Sequence, residues 1–466
     1  MSLVINTNIS SLMAQNNLTK SQSALSSATQ RLSSGLKINS AADNAAGFAI
    51  SQRYTTQIGG LTQASANASD AINLAQTAGS ALDQVTSNLQ AIRDLAVQSA
   101  NGTYTATDRA SIDQEVQQRL AEITRIANQT TFNGSNVLDG SMKTKSFQIG
   151  ASVGQTISVS LGTSVKASAM GQVAEVNTGN IIGFKVTAGS LTVGGTSVAT
   201  GTYSSAGSLA AAINTAAGTS VASVDTNGEI KITGAAGGTT LAGAGATALG
   251  LAGTVASGAT LDSTGAAAAT SALPNFGAEG LSINGTAIST TGVTSLQGLS
   301  DAINAAGISG VSAAVNGNGN GINFYSSGAL NVGDTGGNVI NTNATDANTG
   351  ALYTVATSAS NGGSLATGNV QTVDSANDLI SRVDVALQTV SNFAAQLGAV
   401  QNRFQSTIST VAAQTTNLQA SQSTIQDADF AAETANMSKA NVLQQAGISV
   451  LAQANSNPQQ VLKLLQ

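Results

Sequence analysis

Two carboxylates held close together can divide general acid and general base work between them. Asp427 and Asp429 form such a pair in sequence. Two residues apart on a helix, however, they point to different sides and cannot converge on one substrate. They read instead as a solvated polar joint. The glycine-rich run GAAGGTT at Gly234 lacks the Gly-Lys-Ser/Thr ending of a phosphate-binding loop, so its glycines read as loop glycines. The 466 residues include no His and no Cys. That removes the commonest general base, the commonest metal ligand, disulfides and thiolate metal sites. Neither catalysis nor a metal or other cofactor is expected. The net charge is −6 with no basic stripe, which argues against a nucleic-acid partner. No stretch of about 18 apolar residues exists to span a membrane. The N-terminal MSLVINTNISSLMAQNN has neither a basic segment nor a continuous apolar run, so it does not read as a Sec-type signal. Composition alone points to the cytosol.

The two ends of the chain organise the rest. Ala440, Leu443, Gly447, Val450, Ala454, Asn457, Val461 and Leu464 alternate spacings of three and four, as a coiled-coil seam does. After Lys439 the only charged side chain is Lys463. At the other end Leu18, Leu25 and Leu32 repeat every seven residues, with Ala14, Ser21 and Ala28 at the matching positions. Between Met1 and Gln30 only Lys20 is charged. Charged residues are 9% of the chain, against roughly 25% in ordinary globular proteins. Two charge-poor helices with apolar seams suggest termini that meet, and that are buried further against other copies. Alone in water each is marginal, so residues 1–40 and 430–466 are expected to be disordered in the monomer and to fold on assembly.

Between the ends, residues 1–42 read as one long helix with a break near Gly35. A second helical region runs from Asn44 to Asn101, with Ile72, Ala75, Gly79, Leu82 and Leu89 in step. Asn101 and Gly102 signal a turn. Thr107 or Asp108 is the expected cap of a third helix ending near Asn128. Phe147 and Ile149, then Ile157, Val159 and Leu161, alternate with polar residues around Gly150 and Gly154 and read as a β-hairpin. From Val383 to Leu418 a three-four spacing holds for about ten turns, a helix expected to lie along the second one. Pro458 is expected to kink the last helix or to mark where it restarts.

The middle, about residues 170–370, is rich in Gly, Ala, Ser and Thr, and no basic residue lies between Lys231 and Arg382. Such composition hints at disorder, but a repeat argues against it. LTVGGTSVA at Leu191 returns as LSINGTAIS at Leu281, and LAAAINTAAGTSV at Leu209 as LSDAINAAGISGV at Leu299. The offset is 90 residues in both cases, and it also relates Ile232 to Ile322. Each copy reads strand, turn, short helix, strand. Two folded outer modules are expected, with Gly234 to Gly265 as a loop or poorly ordered link.

RLSSGLKINSAADNAAGFAIS (Arg31–Ser51), LAVQSANGTY (Leu95–Tyr104), TTFNGSNVLDG (Thr130–Gly140), LGAVQNRF (Leu397–Phe404) and NVLQQAGISVLAQANSNPQQVLKLLQ (Asn441–Gln466) resemble the signatures of bacterial flagellin. The resemblance covers roughly residues 1–165 and 375–466, and the repeats resemble the small insertion module of flagellins and hook-associated proteins. It implies a secreted, self-polymerising subunit of the extracellular flagellar filament, exported through the flagellum's own channel. It implies as partners other copies, an export chaperone on the C-terminal segment, hook–filament junction and cap proteins, and the host Toll-like receptor for flagellin. Some flagellins carry a zinc-peptidase insert, whose HExxH pair this chain cannot supply. The positions matching the receptor-read region are Gln90, Leu95, Glu115 and Arg119, with Arg93 alongside. Ala91 stands where receptor-activating flagellins carry Arg, which implies weakened recognition. Packing of protofilaments is the first role expected of this surface.

The fold expected is mainly α with a β-rich insert. The N- and C-terminal regions form a long antiparallel helical coiled-coil rod, and a solvent-facing α+β middle holds the two modules. The divisions are an inner-core helix over 1–43, the rod with its hairpin over 44–169, outer modules over 170–270 and 271–372, the returning rod over 373–425, and the C-terminal inner-core helix over 426–466. The assembly seam is Leu18, Leu25, Leu32, Leu443, Val450, Val461 and Leu464. Two rivals remain at this point. A hook–filament junction protein would share the terminal helices, and an adhesin would use its outer modules to bind a host ligand.

Overall fold

Long helices occupy the two ends of the chain because apolar residues there recur at three and four. They are α1 (Ile9–Ser34), α2 (Ala45–Ala100) and α3 (Ala106–Gln129) at one end and α7 (Val373–Gln426) and α8 (Phe430–Leu464) at the other, with the short α4 (Ala206–Ala217), α5 (Ala244–Ala248) and α6 (Leu296–Ala305) in the middle. The structure is a computed structural model. It describes residues 8–225, 229–263, 280–335, 339–340, 344–355, 357–359 and 361–464. Helical ends around a β-rich middle are the architecture the residue patterns lead one to expect.

The chain divides into two compact units, and α2 and α7 contribute to both. The first takes residues up to 75, 145–159 and those from 398 onward. In it, Asn8 caps α1 by accepting the Ser11 N–H on its side chain at 3.1 Å. The helix stops at Gly35, whose φ of 71° is the left-handed C-terminal turn that glycine adopts without strain. It does not continue to residue 42 as expected. Beyond Gly35 the backbone turns to another partner. Lys37 donates its N–H to the Gln426 carbonyl at 2.6 Å, and Ala428 donates to Gly35 at 2.9 Å. The Asp43 carboxylate takes the N–H groups of Asn39 and Ser40. The residues meant to extend the helix are thus bonded to the joint between α7 and α8. The expected hairpin forms from Thr144–Gln148 and Thr156–Ser160, and Phe147 meets Phe404 edge-on with centroids 5.7 Å apart.

The second unit takes residues 76–144 and 160–397. Thr105, not Thr107 or Asp108, caps α3. Its hydroxyl accepts the Asp108 N–H while Asp108 accepts the Thr105 N–H, a reciprocal capping box. Both modules are folded. In each, a two-residue turn has positive φ at both positions: Gly194 and Gly195 in the first, Asn284 and Gly285 in the second. Ser205 and Ser295 cap α4 and α6 at the same place in the repeat. Asn214 and Asn304 each bond with both side-chain ends to the backbone of the strand region that follows. Leu191, Leu209 and Ile232, like their counterparts Leu281, Leu299 and Ile322, are fully buried.

Two expectations about the middle fail. The glycine-rich stretch from Gly234 is structured as far as it is described. Strands Thr239–Ala242, Gly253–Val255 and Thr260–Asp262 and helix α5 lie within it, and Leu241, Leu249 and Leu251 are buried in the first module's core. Those apolar residues supply the burial that composition alone hides. The last two residues of that expected link, 264 and 265, lie outside the described residues. The expected assignment of residues from 170 onward to the first module also fails, while the boundary expected at 270/271 lies outside the described residues. Strand Val173–Asn177 pairs antiparallel with Ile322–Ser326, with Phe324 opposite Val176, so it belongs to the second module's sheet. That sheet runs Val311–Val315, Ile322–Ser326, Val173–Asn177, Thr345–Asp346, with Asn361–Gly362 also on the Val173–Asn177 strand. The first module is therefore nested inside the second rather than set before it.

Candidate functional site

Helices α1 and α8 lie antiparallel. Asn8 donates from Nδ2 to the Ala454 carbonyl at 2.9 Å, and Ser11 donates to Asn455 Oδ1 at 2.8 Å. At the other end Arg31 faces Glu433 at 3.9 Å. Small residues let the helices approach: Ala14, Ala28 and Ala440 are buried, and Leu18 packs over Gly447, where a methyl group would stand 3.5 Å from Leu18 Cδ1. Leu18, Leu25 and Leu32 are half-buried. The polar joint before α8 is also a cap, because Asp429 Oδ1 accepts the Ala431 and Ala432 N–H groups.

The expected seam is only partly the one that pairs. Ala440, Gly447 and Ala454 face α1, but Leu443 and Val450 are 49% and 54% exposed. The less exposed stripe instead runs through Ala440, Gln444, Gly447, Leu451 and Ala454. This stripe shares every seventh seam residue but is rotated by one position at the others, which turns Leu443 and Val450 aside. They join Val442 and Ile448 on α8, and Ile9, Leu12 and Met13 on α1, as exposed apolar side chains. Sequence reasoning missed those five because they lie off the heptad, although their types in a charge-free stretch were a signal. Val461 and Leu464 lie in α8, but their side chains are outside the described residues. The helix passes through Pro458 to Leu464 without ending there.

The second surface lies on α2 and α3. Gln90 and Glu115 are exposed, and Ala91, Arg93, Leu95 and Arg119 are half-buried. Arg93 Nε donates to Asp384 Oδ1 at 2.7 Å, and this bond raises the guanidinium above its ordinary pKa. Arg119 binds Glu115 one turn away at 2.7 Å. Both arginines are already in ion pairs, so neither is a bare charge waiting for a ligand. Beneath them Leu89, Ile92, Val116 and Leu120 are buried. Among the described residues no cluster of acidic, His or Cys side chains could hold a metal ion, and no helix is long and apolar enough to cross a membrane.

Comparison with known proteins bears on both surfaces. Residues 5–143 match the bacterial flagellin N-terminal helical region, and residues 380–465 match the bacterial flagellin C-terminal helical region. A flagellin of Salmonella muenchen is 37% identical over the whole of both chains, and that of Escherichia coli is 39% identical, again over the whole of both. Among solved structures, FliC of Burkholderia pseudomallei is 26% identical, covering 72% of this chain and 99% of its own, with a TM-score of 0.31.

Proposed function

The chain belongs to the bacterial flagellin family, and we propose that its paired terminal helices are the element through which it polymerises, folding fully only as they do so. A flagellin is an extracellular structural protein, the subunit of the flagellar filament, and not an enzyme. Full-length similarity to flagellins carries this assignment. The terminal pair supplies the physical reason for the finer reading. Among the described residues it holds eight large apolar side chains in solvent, Phe430 besides the seven named above, on a segment with few charges to keep it soluble alone. Contact with further copies buries those side chains, at about 25 cal/mol per Å² of apolar surface removed from water. The two expectations about isolated ends remain part of this reading: disorder in the free monomer, and a cytoplasmic export chaperone that covers the C-terminal segment. Junction and cap proteins bind at the ends of the same polymer.

Limited proteolysis tests it. The monomer should lose both ends and keep a core of roughly residues 45–425, the regions outside the charge-poor termini. That core should not polymerise, whereas a chain lacking the middle modules should. Protease-resistant ends, or native filaments from the trimmed core, would refute coupled folding. A filament that forms without the modules also separates this reading from an adhesin, whose activity would go with them.

The face carrying Gln90, Arg93, Leu95, Glu115 and Arg119 is proposed as a protofilament contact first and a surface for the host Toll-like receptor second. Ala91 limits the second role. Ala91→Arg is expected to increase receptor signalling by soluble monomer, and an unchanged response would count against it.

A further inference from the structure

One largely buried charged cluster lies apart from the terminal helix pair and from the α2–α3 face. Glu175 sits on Val173–Asn177, the strand that both halves of the second module's sheet pair with, and it is 9% exposed. Asp378 and Arg382 lie one turn apart on α7. Arg382 Nε bonds both Asp378 oxygens, at 2.8 and 2.7 Å, and Nη1 donates to the Gly362 carbonyl at 3.1 Å. Gly362 belongs to a strand on the same sheet, so Arg382 ties the helix to the sheet. The chain makes room for it: a methyl group at Gly363 would collide with the guanidinium.

The Glu175 carboxyl lies within hydrogen-bonding reach of Asp378. Asp378 thus meets Arg382 on one side and Glu175 on the other, with the Arg382 side chain 6% and the Asp378 side chain 18% exposed. Asp374 adds a third acid from α7, its Oδ1 accepting from Gly317 N–H and Asn323 Nδ2. From the sheet, Tyr325 is buried beside Glu175 and carries no charge to offset it. Asp346, on another paired strand, turns its carboxylate to the N–H groups of Asn348 and Thr349. Asn323 Oδ1 and the Tyr325 hydroxyl are buried without a hydrogen-bond partner.

Burial, then the Asp378 charge, push Glu175 up to about 8 against the pull of Arg382. Burial also raises Asp378, opposed by Arg382. The arrangement that satisfies the groups is a neutral Glu175 donating to an ionised Asp378 that Arg382 holds. We propose that Glu175, Asp378 and Arg382 form a proton-operated latch between α7 and the central strand of the second module, closed when Glu175 is protonated and loosened when it ionises. The sign follows from linkage. The folded state holds the Glu175 proton more tightly than the unfolded state, so the latch's contribution is complete below the unfolded value. It is lost progressively as pH rises to about 8, and is level above that.

Glu175→Gln keeps a donor towards Asp378 and cannot titrate. In soluble full-length monomer, amide exchange in Val173–Asn177 and Ile322–Ser326 is compared with the wild type at matched pH, so that intrinsic exchange rates cancel. From about pH 5 to about pH 8, wild-type exchange should rise relative to the variant on the order of ten- to a thousand-fold, then level off. A ratio that does not change with pH overturns the latch. Should the variant fail to fold, the carboxyl carbon resonance of Glu175 in wild-type protein decides. A titration midpoint above about pH 7 supports the proposal, and one near the ordinary glutamate value of about 4.3 overturns it.

Discussion

The second module and the terminal helix pair are built from similarly apolar sequence, yet they finish folding in different places. In the module Leu281, Ile283, Leu299 and Phe324 lose all or nearly all contact with solvent. In the helix pair the buried residues among those described are small alanines, while Ile9, Leu12, Met13, Leu443 and Val450 stay exposed. The reason is geometric. A sheet with a helix laid on it closes two layers over one core, whereas two lone helices can cover only one stripe of each other. The module is complete within one chain. On the reading proposed above, the pair is an unfinished core that other copies complete, so that a subunit can be stable on its own and still be driven to polymerise.

The largest expected effect comes from charging the unfinished face. Val450→Asp should abolish stable filaments, since an unpaired buried carboxylate costs about 3–5 kcal/mol at each contact. Because Val450 is exposed in the single chain, monomer stability should shift by no more than about 0.5 kcal/mol. Electron microscopy after salt-induced assembly and urea unfolding of the monomer read the two halves of this prediction. Normal filaments would show that the face is never buried, and the comparison would collapse.

Emptying the finished core should do the reverse. Phe324→Ala removes a fully buried ring and should cost about 3–5 kcal/mol in unfolding of the insert. Filaments should still form. Their loss would mean that the two regions are not energetically separate. A smaller effect sharpens the comparison within the insert. Ser205→Ala and Ser295→Ala each remove a helix N-cap at the same place in the repeat, and each should cost about 1 kcal/mol. Unequal costs, read by thermal unfolding of the two single variants, would show that nesting has changed how the modules share stability.

The terminal helices were legible because 3.6-residue periodicity is a local property, and so were the modules, because the 90-residue offset repeats the turn, cap and core positions together. The end of α1 was half legible. Gly35 marked it, but nothing local told that Gly35 and Lys37 would bond to the Gln426–Ala428 joint instead of the helix resuming. The glycine-rich part of the first module misled for a related cause. Its composition resembles a linker, and sparse apolar residues, Leu241, Ala246, Leu249, Leu251 and Val255, carry the fold.

The sequence by itself determined that long helices fill both ends of the chain, that the middle is duplicated, and that His and Cys are missing from it. Each of these rests on residue identity or on neighbours within a few positions. Only the tertiary structure decided which face of α8 meets α1, because a one-position rotation of the contact stripe leaves the heptad spacing intact while turning Leu443 and Val450 outward. It alone placed Val173–Asn177 in the sheet of residues almost 150 positions later, and so brought Glu175 against Asp378 and Arg382. Strand pairing over such a distance is settled by which surfaces bury each other, and no local spacing records it.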